Sequence, residues 1–219
     1  MATTRLTQST HELTKLGGAL NFGPDRTRLV LRMMHLLAQG RPVTPTRATQ
    51  LIRELGADSE QAHQLLQAWT ERNDDGDIVG LGISLNKTAH QITIGDTVAY
   101  AWCAMDTLFF PIVLDRPIMV ESTAPGTHEI VRLKAGPDGV TNLRPAESVI
   151  TWPLRGNDQA DMSTKTGIWA SFCHHSFLFP TRGQAQQWAT GRHDIEILSL
   201  PEGFTVAREI ANAWLSHAH

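Results

Sequence analysis

The chain changes periodicity once, near residue 75, and that break does most to limit the folds open to it. Before it, apolar residues recur at helical spacing between polar stops. In RTRLVLRMMHLLAQG, Leu29, Val30, Met33, Leu36 and Leu37 fall at helical intervals and Gly40 ends the run. Thr44-Pro45 reads as an N-cap followed by a proline at the first helical position, leading into RATQLIRELG, which Gly56 closes. Asp58 and Gln61 form a capping-box pair ahead of a helix whose apolar stripe is Leu65, Leu66 and Trp69. GDIVGLGISL and HQITIG then read as a β pair. Helices, a short turn and paired strands in that order are the layout of a winged helix-turn-helix.

From about residue 97 the strand-like runs IMVES, HEIVRLKAG and SVITW are separated by Pro and Gly. Pro125-Gly126 and Gly136-Pro137-Asp138-Gly139 mark turns. Helical segments interrupt the strands: TVAYAWCAMDTLFF, QAQQWATG after Thr181, and a C-terminal stretch over 205–217. The polar stretch 156–166 reads as an exposed loop. Without regular βαβ alternation, this pattern is α+β. The expected organisation is a winged-helix-like helical domain over residues 1–95 and an antiparallel-sheet domain with flanking helices over 96–219.

A winged helix invites a DNA-binding reading, and charge argues against it. Lys plus Arg number 19 against 22 Asp plus Glu, a net charge of -3, whereas phosphate binders carry a basic surplus. The segment that would enter the groove, 58–73, carries Asp58, Glu60 and Glu71 against Arg72, and Asp74, Asp75 and Asp77 follow. The N-terminal unit is therefore expected to pack on the second domain or cover its site, with no nucleic acid as partner. No run approaches the ~18 apolar residues of a membrane span. The polar N-terminus lacks the apolar stretch of a signal peptide, so the expected location is the cytoplasm.

Cys103 and Cys173 are the whole thiol inventory, far from a disulfide scaffold. Each is either an inert core residue or a reactive group. In YAWCAMDTLFFP, a helix would place Cys103 and Asp106 at i and i+3 on one face, with Trp102, Met105, Phe109 and Phe110 around them. A carboxylate so surrounded loses solvation, its pKa rises, and it can move protons near neutral pH. SFCHHSF reads as a strand or strand end, with Cys173 and His175 on one face and His174 on the other. Cys-His-His without further spaced ligands is a weak zinc pattern. Spacing alone does not bring the two cysteines together.

At these residues the sequence resembles the organomercurial (alkylmercury) lyases of bacterial mercury resistance. YAWCAMDTLFFP is similar to the family's helix with its first cysteine and aspartate, and SFCHHSFLF to the strand with its second cysteine. GRPV near residue 40, NDDGDIVGLGISL and QITIGDTV also follow the family pattern, so the likeness runs from about residue 26 to the C-terminus. It implies that Cys103, Asp106 and Cys173 are catalytic and are the groups that meet Hg(II). The implied reaction is protonolytic cleavage of a carbon–mercury bond to a hydrocarbon and Hg(II), as part of mercury detoxification. The resemblance implies no organic cofactor, low-molecular-weight thiols as acceptors, and mercuric reductase as a partner for Hg(II) transfer. It further implies an N-terminal domain that no longer reads DNA. Some relatives carry another cysteine directly after the second catalytic one, where this chain has His174. The rival reading is a winged-helix, mercury- or thiol-responsive transcriptional regulator. The lyase reading requires the two sulfurs to lie on the order of 4–5 Å apart, close enough for one metal to bridge, with Asp106 in reach.

Overall fold

Among the described residues three helices come first, each bounded by the punctuation carried in its sequence: α1 (Pro24–Leu37), α2 (Pro45–Glu54) and α3 (Ser59–Trp69). The Thr44 hydroxyl accepts the Arg47 N–H at 3.2 Å and the Asp58 carboxylate accepts the Gln61 N–H at 2.8 Å. Each bond satisfies an amide that the first helical turn leaves unpaired. The apolar stripes of these helices face inward, where Leu29, Met33, Leu37, Leu51, Ile52 and Leu66 are fully buried. This computed structural model describes residues 22–153, 163–192 and 194–218, so most of the expected loop over 156–166 lies outside the described residues.

Eight strands follow: β1 (Glu71–Arg72), β2 (Ile78–Leu81), β3 (Ile83–Ser84), β4 (His90–Ile94), β5 (Thr97–Ala101), β6 (Ile118–Thr123), β7 (Ile130–Gly136) and β8 (Gly139–Arg144). They form one antiparallel sheet in the order β1-β2-β3-β5-β4-β6-β7-β8. This corrects two expectations. TVAYA is the strand β5 rather than the start of a helix, because Gly95 (φ 61) reverses the chain and folds β5 onto β4, from Ile94↔Thr97 to His90↔Ala101. HQITI therefore pairs with β5 and β6, not with the GDIVGLGISL strands. The strands of the supposed wing thus belong to a sheet that continues to β8, and winged-helix character is not confirmed. The expected division at 95/96 falls in the β4–β5 turn of this continuous sheet.

In β6 and β7 burial alternates strictly, with Val120, Val131 and Leu133 inward and Met119 and Lys134 outward. The inner face is covered by α4 (Ala104–Val113) and α7 (Leu200–His217), which pack on each other. The last helix starts five residues before the expected 205, because Ser199 and Glu202 form a capping box. Ser199 N–H donates to the Glu202 carboxylate at 2.8 Å, and Glu202 N–H donates to Ser199 Oγ at 3.4 Å. A smaller antiparallel sheet, β10 (Leu178–Phe179), β9 (Val149–Pro153) and β11 (Ile195–Ser199), has β9 at its centre. Two short helices, α5 (Lys165–Ser171) and α6 (Arg182–Trp188), complete a mixed helix and antiparallel-sheet fold. Among the described residues no helix is long and apolar enough to cross a membrane.

Candidate active site

Cys103 does not lie within a helix. It is the N-cap of α4, with extended backbone (φ -148, ψ 174), and Asp106 is the third helical residue. The i, i+3 relation expected from a helical face is instead that of a capping box. The Asp106 carboxylate accepts the Cys103 N–H at 3.1 Å, while the Asp106 N–H points to the Cys103 sulfur. Thus the sequence that starts the helix also fixes the acid beside the thiol.

The second cysteine departs further from expectation. Helix α5, capped by Thr164, runs to Ser171, and Cys173–His175 is a single 3₁₀ turn rather than a strand. The turn is closed by His175 N–H to Phe172 O at 2.9 Å and Ser176 N–H to Cys173 O at 3.3 Å. At three residues per turn, Cys173 and His175 no longer share a face. His174 is exposed, and the half-buried His175 ring meets the Ala170 carbonyl at 3.1 Å.

Across 70 residues of sequence the two segments meet. The ligand atoms of Cys103, Asp106 and Cys173 all lie within 4.8 Å of one another. Among the described residues this is the one such cluster of three, and neither His174 nor His175 belongs to it. Both cysteines are free and buried.

Burial governs the electrostatics. It pushes the Cys103 thiol well above its ordinary value, and the contact with Cys173 and the Asp106 charge add to the rise. For Cys173 the hydrogen bond with Cys103 favours the thiolate, but burial and the Asp106 charge outweigh it and leave its pKa raised. Asp106 is raised to about 7 by loss of solvent, against the opposing hydrogen bonds from the Cys103 side chain and the Cys103 and Trp102 backbone. Near neutral pH both its acid and its base forms are populated.

These three groups line an apolar cavity of ≈ 60 Å³. Trp102, Met105 and Phe109 contribute to its wall as expected, whereas Phe110 is fully buried behind it. Sequence reasoning missed the rest of the lining. Val30, Met34 and Trp69 come from α1 and α3, and Ile210 and Trp214 from α7. In sequence these are ordinary members of apolar stripes, with no mark to set them apart from core. Glu71, read as part of the groove-entering helix over 58–73, instead lies in β1 and is buried. Its carboxylate accepts the Trp102 indole N–H and, at 2.8 Å, an Asn86 amide N–H. A side chain at Gly80 would overlap that carboxylate.

Two soft sulfurs and a proton-carrying carboxyl at one point can hold a thiophilic metal and exchange a proton beside it. Comparison with known proteins agrees with that chemistry. Residues 83–212, more than half of the chain, match the sequence model of the alkylmercury lyase family. The alkylmercury lyase of Streptomyces lividans is 32% identical over 208 residues, covering 93% of this chain and 92% of its own. That of Pseudomonas putida is 29% identical over 197 residues, covering 89% and 88%. In fold, the chain is similar to the solved mercury-bound form of MerB2, with a TM-score of 0.74 at 23% identity, covering 93% of this chain and 99% of that one. The chain belongs to the alkylmercury lyase family, whose members are enzymes that cleave the carbon–mercury bond.

Proposed function

We propose that Cys103, Cys173 and Asp106 carry the carbon–mercury cleavage in this chain, acting on small apolar organomercurials. The convergence of two sulfurs and a carboxyl within 4.8 Å, under an apolar cavity, is the observation that carries this reading. An organomercurial R–Hg–X, with X a thiolate or halide, first exchanges X for Cys173. This is the thiol whose ionisation its neighbour favours, and its proton leaves with X. Cys103 then adds as second sulfur ligand and gives its proton to the Asp106 carboxylate. Two thiolates raise electron density at mercury and make the bound carbon more basic. Asp106 returns the proton to that carbon, the electron pair of the carbon–mercury bond forms the new C–H bond, and R–H departs. Mercury stays Hg(II), held by two thiolates, and no electron is gained or lost.

Every reagent in this cycle is a thiol, a carboxyl or the substrate, so the cycle calls for no organic cofactor. Small dithiols or thiols, or a mercuric reductase, would take up the Hg(II) by thiolate exchange. The reducing cytoplasm is the compartment in which both cysteines stay free. Two of the first three described helices, which are winged-helix-like in their order, serve as cover: Val30 and Met34 of α1 and Trp69 of α3 close the cavity over the thiols. That role, with the burial of Glu71, disfavours the transcriptional regulator.

The test is hydrocarbon release. With phenyl- or methylmercury and excess thiol, the wild-type protein should liberate benzene or methane over many turnovers. Cys103→Ser and Cys173→Ser should each reduce release to background. Turnover that survives either substitution, or a wild-type protein that binds mercury and frees no hydrocarbon, overturns the assignment.

A further inference from the structure

The N-cap of α4 is a cysteine, whose sulfur is a weak hydrogen-bond acceptor. A helix start capped this way still needs partners for its first amides. The Asp106 N–H faces the Cys103 sulfur, and the two amides before it turn to a single residue on the other cysteine's segment. The Ala104 N–H donates to the Ser176 carbonyl at 3.1 Å, and the Met105 N–H donates to Ser176 Oγ at 3.1 Å. Ser176 is fully buried, so no solvent competes for these bonds.

The same turn is anchored on its far side. Thr151 Oγ1, from β9, donates to the His175 carbonyl at 2.9 Å and accepts the Phe177 N–H at 2.9 Å. The Cys173 carbonyl accepts from Ser176 itself. The turn bearing Cys173 is therefore clamped between the small sheet and the first turn of α4. On the α4 side, Ser176 supplies both hydrogen-bond acceptors.

We propose that Ser176 is a positioning residue for the two-thiol reaction: its two oxygens, seated on the first amides of α4, set the separation at which Cys103 and Cys173 close on one mercury ion. This rests on the reading of those cysteines as the reacting pair. Ser176 is not among the residues that line the cavity, and its bonds are to backbone groups. Its neutral oxygens also occupy two amides at the positive end of the helix, which would otherwise be free to attract a thiolate or the Asp106 carboxylate.

Ser176→Ala leaves the Met105 N–H buried without an acceptor and loosens the clamp. Capture of the organomercurial by the first thiol should persist, so KM should stay within about twofold. The second ligation and the proton transfer depend on placement, and a displacement of ~1 Å can cost ~100-fold, so kcat should fall about 10- to 100-fold. Ser176→Thr, which keeps the oxygen, should recover most of kcat. Ser171→Ala serves as control: it removes an equally local hydroxyl bond, to Gly167 O within α5, and should leave kcat unchanged. Ala104→Pro attacks the contact from the other segment. It puts ring carbon where the amide met the Ser176 carbonyl, at a helix position that tolerates proline, and should reproduce the kcat loss.

Wild-type kcat in a folded Ser176→Ala protein, or an equal loss in Ser171→Ala, overturns the proposal. If Ser176→Ala does not fold, Ala104→Pro decides it in the same way. Cys173→Ser measured alongside separates the two levels. Turnover surviving in Cys173→Ser defeats the site assignment, whereas an inactive Cys173→Ser beside a fully active Ser176→Ala defeats the role of Ser176 alone.

Discussion

Replacing Asp106 with Asn should make the protein more stable while ending turnover. The carboxyl has an ordinary value of 3.8 and is raised to about 7 in the folded chain, chiefly by loss of solvent. Below pH 3.8 it is protonated both folded and unfolded, and its burial costs no ionisation energy. As pH rises, the unfolded chain releases the proton first, so stability falls until the folded carboxyl has also ionised, above pH 7. At pH 8 the accumulated cost is about 4 kcal/mol, an upper figure because Asp106 retains some accessible surface. Asn mimics the neutral carboxyl and still accepts the Cys103 N–H, and the stronger bonds of the charged form are already contained in the raised value. The net gain is therefore about 4 kcal/mol at pH 8 and vanishes toward pH 4. For a chain of this size that is a rise in Tm of ~8–16 °C. Urea denaturation of mercury-free, reduced protein between pH 4 and pH 8 reads it directly. In parallel, the variant should bind organomercurial and release no benzene or methane. A variant less stable than wild type at pH 8, or a gain that does not grow with pH, would refute the reasoning.

Two further outcomes follow from buried contacts away from the thiols. His90, buried on β4 with its ring bonded to Ser122 Oγ at 2.7 Å, has its pKa lowered by burial from 6.5 to about 4. The unfolded chain then takes up the proton first, so as pH falls from 6.5 to 4 the native state loses up to about 3 kcal/mol. His90→Gln should flatten this acid limb in a pH series of thermal melts, and an unchanged slope would show that the ring is not its source. Gly203, where α7 crosses β9, has no room for a side chain, because a Cβ there would lie 2.6 Å from Ile150 Cγ2. Gly203→Ala should lower Tm although alanine favours helix by ~1 kcal/mol, since overpacking costs ~1–3 kcal/mol. A higher Tm would show that the contact yields.

How much of this was legible beforehand depended on the range of the information. Thr44 and Asp58 cap helices where expected, a helix follows Thr181 as expected, and the turns at Pro125-Gly126 and Pro137-Asp138 lie between paired strands. Each of these signals is complete within four or five residues. The errors fell where a short segment suits two states. TVAYA is apolar enough for either helix or strand, and pairing with β4 decided it. SFCHHSF alternates like a strand, yet the helix arriving from Thr164 carries it into a 3₁₀ turn.

The sequence by itself determined the inventory of chemistry: two thiols, one aspartate three residues after the first, and an apolar neighbourhood suited to raising its pKa. It also determined the family, since those blocks are contiguous words in the chain. Only the tertiary structure decided that the sulfurs meet, because their approach depends on Ser176 docking on α4 and on β9 holding the Cys173 turn. Likewise, nothing local marks Met34, Trp69 or Trp214 as cavity walls. A side chain's own sequence neighbourhood records that it will be buried, but which distant group it will be buried against is set by the packing of elements far apart along the chain.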